Sequence, residues 1–360
     1  MFTIEMLPAG HGDSLWIEYG DPDRPHRVLI DGGPNLNATG NRSRELITER
    51  VDTRHEDDND FELMVVTHVD ADHITGMLKL MEETDIELAP RDFWFNAYHH
   101  LPTDVLGAKQ GENLTAAVNK RRLNWNTDFD QQAAVVPDEG PLPRIELPGG
   151  MVVTLLSPTN QELRELRPVW EKEVKKAGLV PGFGMEEEEE KPADVLGAAE
   201  DIDPDELAEE PFEEDGSEAN GASIAFLAEF DGKSMLLTGD AHAGVLERGI
   251  ARLLEERDAG STLDVDLFKV SHHGSRHNLS RELVDLVSAE RWLFSSNGRI
   301  FKHPSPVAVS RLVVGRDDIE LALNYRTEFN EHWDSRRRTR RYDYRTLYPD
   351  EGREGLLVER

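Results

Sequence analysis

Thr67-His68-Val69-Asp70-Ala71-Asp72-His73-Ile74-Thr75-Gly76 follows directly on the apolar run Leu63-Met64-Val65-Val66. A short, continuous apolar run bounded by polar residues is how a buried strand looks in sequence. Four ligand-type side chains, His68, Asp70, Asp72 and His73, then fall within six positions. Hard or borderline divalent metals take imidazole nitrogen and carboxylate oxygen, and a catalytic site keeps one position open for water. A strand that ends in such a loop points alternate side chains toward one place, and the turn adds the others. The stretch reads as a metal-ligand loop.

Moving outward, strands are expected at Leu15 to Tyr19, Val28 to Ile30, Phe93 to Phe95, Val152 to Leu156 and Ser223 to Phe230. Others are expected at Met235 to Leu237, Leu267 to Val270, Trp292 to Phe294 and Ile319 to Leu323. Helical spacing of Leu246, Ile250, Leu253 and Leu254 predicts a helix after the Asp240 turn, and Leu283, Leu286 and Val287 predict another behind a Ser280 N-cap. Ser305-Pro306, a cap with proline at the first helical position, starts a third. Strands mixed with helices throughout imply an α/β chain of two mixed sheets flanked by helices, an αβ/βα sandwich.

The chain has 360 residues, 72 of them acidic against 40 basic, for a formal net charge of -32. That field opposes a protein that coats nucleic acid, yet permits an enzyme that grips phosphate at one cationic place. There is no cysteine, so thiolate metal sites, disulfides and cysteine nucleophiles are excluded. Met1-Phe2-Thr3-Ile4-Glu5 lacks a signal-peptide pattern, and no apolar run reaches the roughly 20 residues that span a bilayer. A cytoplasmic, non-membrane protein is expected. Residues 161–219, which include Glu186 to Glu190 and Asp203 to Asp215, read as an acidic, flexible insertion and a candidate partner-docking element. Arg336 to Arg345 is strongly basic and is the anion-binding candidate, or else pairs with the acidic insertion. The expected organisation is 1–160 with an insert at about 85–150, the insertion 161–219, a second half 220–327, and a basic extension 328–360 with a final strand.

The ligand loop resembles the His-x-His-x-Asp-His motif of the metallo-β-lactamase superfamily, with Asp70 where the second His usually stands. That departure is similar to the His-x-Asp-x-Asp-His variant of one branch, typified by the hydrolase domain of the DNA-uptake competence protein ComEC. Gly10-His11-Gly12-Asp13-Ser14, Val28-Leu29-Ile30-Asp31-Gly32-Gly33, Asn220-Gly221-Ala222-Ser223, Leu237-Thr238-Gly239-Asp240-Ala241 and Lys269-Val270-Ser271-His272-His273-Gly274-Ser275 resemble further motifs of that branch, in its order. Asn297 with His303-Pro304, and Tyr325-Arg326-Thr327, do so as well.

The resemblance implies two divalent ions, zinc or manganese. His68 and Asp70 would hold one, Asp72 and His73 the other, and Asp240 would bridge them. His272 would complete the second site, unless the adjacent His273 takes its place. Asp13 and Asp31 would orient ligand imidazoles or the metal-bound water. His303 or His273 would protonate a leaving group, and Lys269, Arg326 and Asn297 would meet a phosphate oxygen. His99 or His100 fills the first site's remaining position, touches substrate, or is a strand-end pair on the surface. By the same resemblance the chain is expected to be a phosphodiesterase or nuclease, and a stand-alone nuclease in a multi-protein defence or stress system suits the remaining features. The alternatives are a small-molecule hydrolase acting on a phosphoester, lactone or thioester, and a partner-binding component with conditional activity.

Overall fold

β3 (Arg24–Ile30) and β4 (Leu63–Val65) lie parallel with Ile30 level with Val65, so the chain leaves both strands at one edge. A computed structural model describes residues 1–35, 42–52, 61–83, 86, 88–102, 109–176 and 202–359. Around that pair the first sheet adds β1 (Phe2–Met6), β2 (Leu15–Asp21) and β5 (Phe93–Trp94), with the last strand, β14 (Leu356–Glu359), on the far side of β1. The second sheet runs, from one edge to the other, β6 (Arg144–Glu146), β7 (Val152–Ser157), β8 (Ala225–Phe230), β9 (Lys233–Leu237), β10 (Leu263–Lys269), β11 (Val287–Phe294), β12 (Ile319–Leu323) and β13 (Tyr344–Leu347). β6 to β9 pair antiparallel, and β9 to β13 pair parallel. Leu237, Lys269 and Leu293 share one register line. The chain therefore leaves β9, β10 and β11 side by side, the edge at which α/β sheets carry their sites.

Alternation along each strand separates two cores. Val28, Ile30, Leu63 and Val65 point to the core between the sheets, where Trp94 meets Phe226 edge-on at 6.0 Å. Leu29, Met64 and Val66 point the other way. They are covered by α1 (Ser43–Asp52), α2 (Ala71–Glu82), α3 (Lys109–Arg121) and α4 (Asn160–Lys176). Two short helices follow, α5 (Pro204–Ala208) and α6 (Glu218–Gly221). The outer face of the second sheet is covered by α7 (Ala243–Glu256), α8 (Arg281–Leu286) and α9 (Pro306–Gly315). The fold is the αβ/βα sandwich expected from the sequence. α10 (Arg336–Arg341) precedes β13. Among the described residues, no helix is long and apolar enough to cross a membrane.

β1, β6 and β13 were not legible as strands. The edge strands β6 and β13 carry Arg144 and Glu146 or Arg345 on exposed faces and lack an apolar run. β1 draws one of its two partners, β14, from the opposite end of the chain. The acidic insertion also differs from expectation. Glu186 to Glu190 lie outside the described residues, but 202–221 is folded onto the body. Ile202 and Phe212 pack on the main core, and Arg276, Arg281 and Arg341 pair with Glu210, Glu209 and Asp205. The buried Arg311 guanidinium donates to the carbonyls of Glu210 and Pro211. Apolar residues spaced among the carboxylates hold the segment down, while the charges face matching arginines. Part of the Arg336 to Arg345 run is thereby committed: Arg341 to Asp205, Arg338 to the Ile202 carbonyl at 3.2 Å, and Arg345 to Asp318 at 2.8 Å.

Candidate metal centre

The loops after β4, β9 and β10 bring His68, Asp70, Asp72, His73, Asp240, His272 and His273 into one place. Asp240 Oδ2 is its centre. It lies 3.3 Å from His73 Nε2, 3.7 Å from His272 Nε2, 3.8 Å from His273 Nε2 and 3.9 Å from His68 Nε2. Asp72 Oδ2 stands 3.4 Å from His273 Nε2 and 3.8 Å from His73 Nε2, and Asp70 Oδ2 stands 3.8 Å from His68 Nε2.

The groups behind each imidazole assign its tautomer. His73 Nδ1 donates to the Asp31 carboxylate at 2.8 Å. The Thr67 hydroxyl spends its proton on Asp31 at 2.7 Å, so it accepts from His68 Nδ1 at 3.0 Å. His273 Nδ1 donates to the Ser295 carbonyl at 2.9 Å. His272 Nδ1 faces Asn278 Oδ1 at 3.0 Å and Asp215 Oδ2 at 3.2 Å. All four rings thus carry hydrogen on Nδ1 and turn a bare Nε2 lone pair toward a carboxylate. The Nε2 atoms of His68, His73 and His273, and Asp240 Oδ1, are buried without a hydrogen-bond partner.

Lone pairs facing carboxylate oxygens across 3.3 to 3.9 Å repel unless a cation stands between them. Protons meet that demand in part. Burial opposes the charged form of His273, yet Asp13 and Asp240 raise its basicity to about 9. Asp240 likewise raises His73 and His272 against burial. His68 is the exception, pushed down to about 3 by burial and by His73. Nitrogen and oxygen donors in these two overlapping groups, His68–His73–Asp240 and Asp72–His73–His273, fit divalent metals.

Two close approaches make the arrangement possible. A Cβ on Gly12 would fall 1.8 Å from the Asp72 carbonyl oxygen, so the Gly10-His11-Gly12 turn lies directly against the ligand loop. A Cβ on Gly76 would fall 1.9 Å from the Gly32 carbonyl oxygen, and this contact seats α2 against the Asp31 turn.

Asp31 and Asp13 both stand behind imidazoles. Asp31 accepts from Thr67 N, Thr67 Oγ1 and His73. Asp13 Oδ1 faces His273 Nδ1 at 3.3 Å, and Asp13 Oδ2 pairs with Lys269 Nζ at 2.8 Å. Lys269, expected to meet a phosphate, is buried at the end of β10 and also donates to the Val270 carbonyl, out of reach of a substrate. Arg326 is paired with Asp334 and lies over Tyr348. Asn297 donates its N–H to the Gly10 carbonyl at 2.8 Å, and its Oδ1 accepts from Arg299 N. The His303 ring lies 5.3 Å from His272 and 6.4 Å from His273, with Nδ1 buried and unpartnered. His99 and His100 stand edge-on to Trp125 at 4.7 and 4.9 Å, and belong to no candidate metal-holding group among the described residues.

Two site residues escaped the sequence reading. His11 was quoted in its motif but given no role. Its ring is buried with both nitrogens unpartnered, and it feels the charges of Asp72, His273 and His73. Asp215, inside the acidic insertion expected to be flexible, holds His272 together with Asn278. The signal for Asp215 was its neighbour Ser217, which caps α6 and whose N–H binds Asp215 Oδ1.

No protein-family model and no curated protein matches this chain. Among solved structures it is similar to a metal-dependent hydrolase from Parabacteroides distasonis ATCC 8503, at 10% identity over 89% of this chain and 92% of that one, with a TM-score of 0.36. It is similar to Zn(2+)-bound PqqB from Methylobacterium extorquens at 13% identity over all of both chains, with a TM-score of 0.38. It is also similar to CmlA, a diiron beta-hydroxylase from Streptomyces venezuelae, at 12% identity over 99% of this chain and 54% of CmlA, with a TM-score of 0.39.

Proposed function

We propose that this chain is a metal-dependent phosphodiesterase, a nuclease of the ComEC-like kind, with two divalent ions, zinc or manganese. The observation that carries the reading is the set of imidazoles whose bare Nε2 atoms converge on Asp240. The contacts support one ion among His68, Asp70, Asp240 and His272, and the other among Asp72, His73, Asp240 and His273. In this arrangement both adjacent histidines are ligands, and His272 supplies the position for which His99 and His100 were candidates. Held by these residues, such ions would supply Lewis-acid chemistry, bringing the pKa of a water toward roughly 7 and offsetting charge that develops on the attacked centre.

The chain's own groups orient and exclude. Asp31, Thr67, Ser295 and Asp215 fix the imidazoles, and His11 and His303 wall the site. Burial and the neighbouring His272 and His273 hold His303 neutral, so it acts toward a leaving oxygen as a neutral hydrogen-bonding ring rather than a charged acid. A phosphodiester is supported by Arg299, which lines a cleft of about 1120 Å³ beside Asn297; Arg42, Arg326 and Arg353 line it too but are paired with Glu45, Asp334 and Asp350, and Glu351 and Glu354 share the lining.

Purified protein is expected to carry two ions by elemental analysis and to nick plasmid or single-stranded DNA. Chelation is expected to abolish nicking and lower the melting temperature, and zinc or manganese to restore both. Full nicking by chelated, metal-free protein sinks the metal reading. Metal-dependent turnover of lactones or thioesters with none of phosphodiesters sinks the substrate class. His272→Ala and His273→Ala are each expected to cost about one ion per chain. If one of them keeps both ions, that histidine is not a ligand.

A further inference from the structure

Resting on the phosphodiesterase reading, we propose that the loop 297–304 between β11 and α9 is a nucleotide-recognition element, in which Phe301 is a stacking shelf for a nucleobase beside the attacked phosphate. Phe301 is 38% exposed, and no other Phe, Trp or Tyr among the described residues is exposed. Leaving a large ring in water forfeits the burial that the other aromatic side chains obtain. The ring is nevertheless held in place. His303 stacks against it at 6.1 Å with an interplanar angle of 25°, and His11 meets it edge-on at 5.6 Å.

Its supports are the site's own walls. His303 is one ring contact from His272, whose Nε2 faces Asp240. Phe301 is therefore two ring contacts from His272 at the metal centre, and a planar group lying on it is one contact further out. Two residues before Phe301, the Arg299 guanidinium, without a partner among the described residues, lines the arginine cleft. Lys302 follows Phe301 and lies over Phe329 at 4.0 Å. An exposed ring beside the reacting centre, with a guanidinium toward the next stretch of cleft, matches a base flanked by phosphates. Stacking tolerates any base, so the shelf recognises nucleic acid without reading its sequence.

The test compares an oligothymidylate with an abasic deoxyribose-phosphate polymer of equal length and label, read by kcat/KM and by anisotropy binding in chelator. Phe301→Ala is expected to lower the preference for the oligothymidylate roughly tenfold in both readouts, and Phe301→Trp to keep it. An equal effect of Phe301→Ala on both polymers, or none on either, overturns the shelf. If the wild-type protein cleaves neither polymer yet binds the oligothymidylate preferentially through Phe301, the shelf stands and the phosphodiesterase reading falls.

Discussion

Asp240→Ala is expected to remove both ions and lower kcat/KM by roughly 10³-fold or more, the equivalent of several kcal/mol of charge stabilisation. Asp240 Oδ2 is the oxygen that faces all four imidazoles. Without it, four bare Nε2 atoms remain but no shared anion draws two cations together. The fold should survive, because the loop is held by the Asp240 backbone, whose N–H donates to Ser223 Oγ and whose carbonyl accepts from Asn278 Nδ2, and the substitution leaves both bonds in place. Elemental analysis decides the matter. A variant that folds, by circular dichroism, and retains two ions would show that Asp240 does not bridge.

The largest effect on stability is expected from Asp13→Ala. Asp13 and Lys269 are each about 1% exposed and pair at 2.8 Å, so the substitution strands an ammonium in the core between the site and the second sheet. Removing one partner of a buried pair costs about 3–5 kcal/mol. The double change Asp13→Ala with Lys269→Met should recover much of that loss, since no charge is then left unpaired. Denaturant unfolding of the metal-free protein measures both. A single substitution that costs no more than the double one would show that the pair does not matter.

The pH dependence has a definite sign. Burial pushes the Asp13 carboxyl up, but Lys269 and His273 outweigh it and hold it well below the ordinary value of 3.8. A carboxyl depressed in the fold contributes stability that is present above its unfolded value and lost as pH falls below about 4. The wild-type protein should lose this increment on acidification, and the double variant should lack it. Asp13 also stands behind His273, so Asp13→Ala should weaken metal binding about 10- to 100-fold in addition.

Much of the site was legible because it is local. His68, Asp70, Asp72 and His73 follow one strand within six positions, and the order Asp31, His68 to His73, Asp240, His272-His273 repeats one pattern: an apolar run, then a polar turn. Strand ends and ligand types are properties of neighbours in the chain, and they carried the two-sheet architecture with them. What neighbours in the chain do not encode is which side of a turn is buried and what stands behind it. Lys269 looked like a phosphate ligand until the register of β9, β10 and β11 enclosed it with Asp13, more than 250 residues earlier. His272 and His273 looked like alternatives until the left-handed backbone at both positions turned both rings toward Asp240. Asp215 looked like one more charge in an acidic run until packing of Ile202 and Phe212 delivered it to His272. By itself the sequence determined the ligand types and the strand ends that carry them, because those are set by residues adjacent in the chain. Only the tertiary structure decided which of those groups meet, since long-range packing sets burial and the partner behind each imidazole.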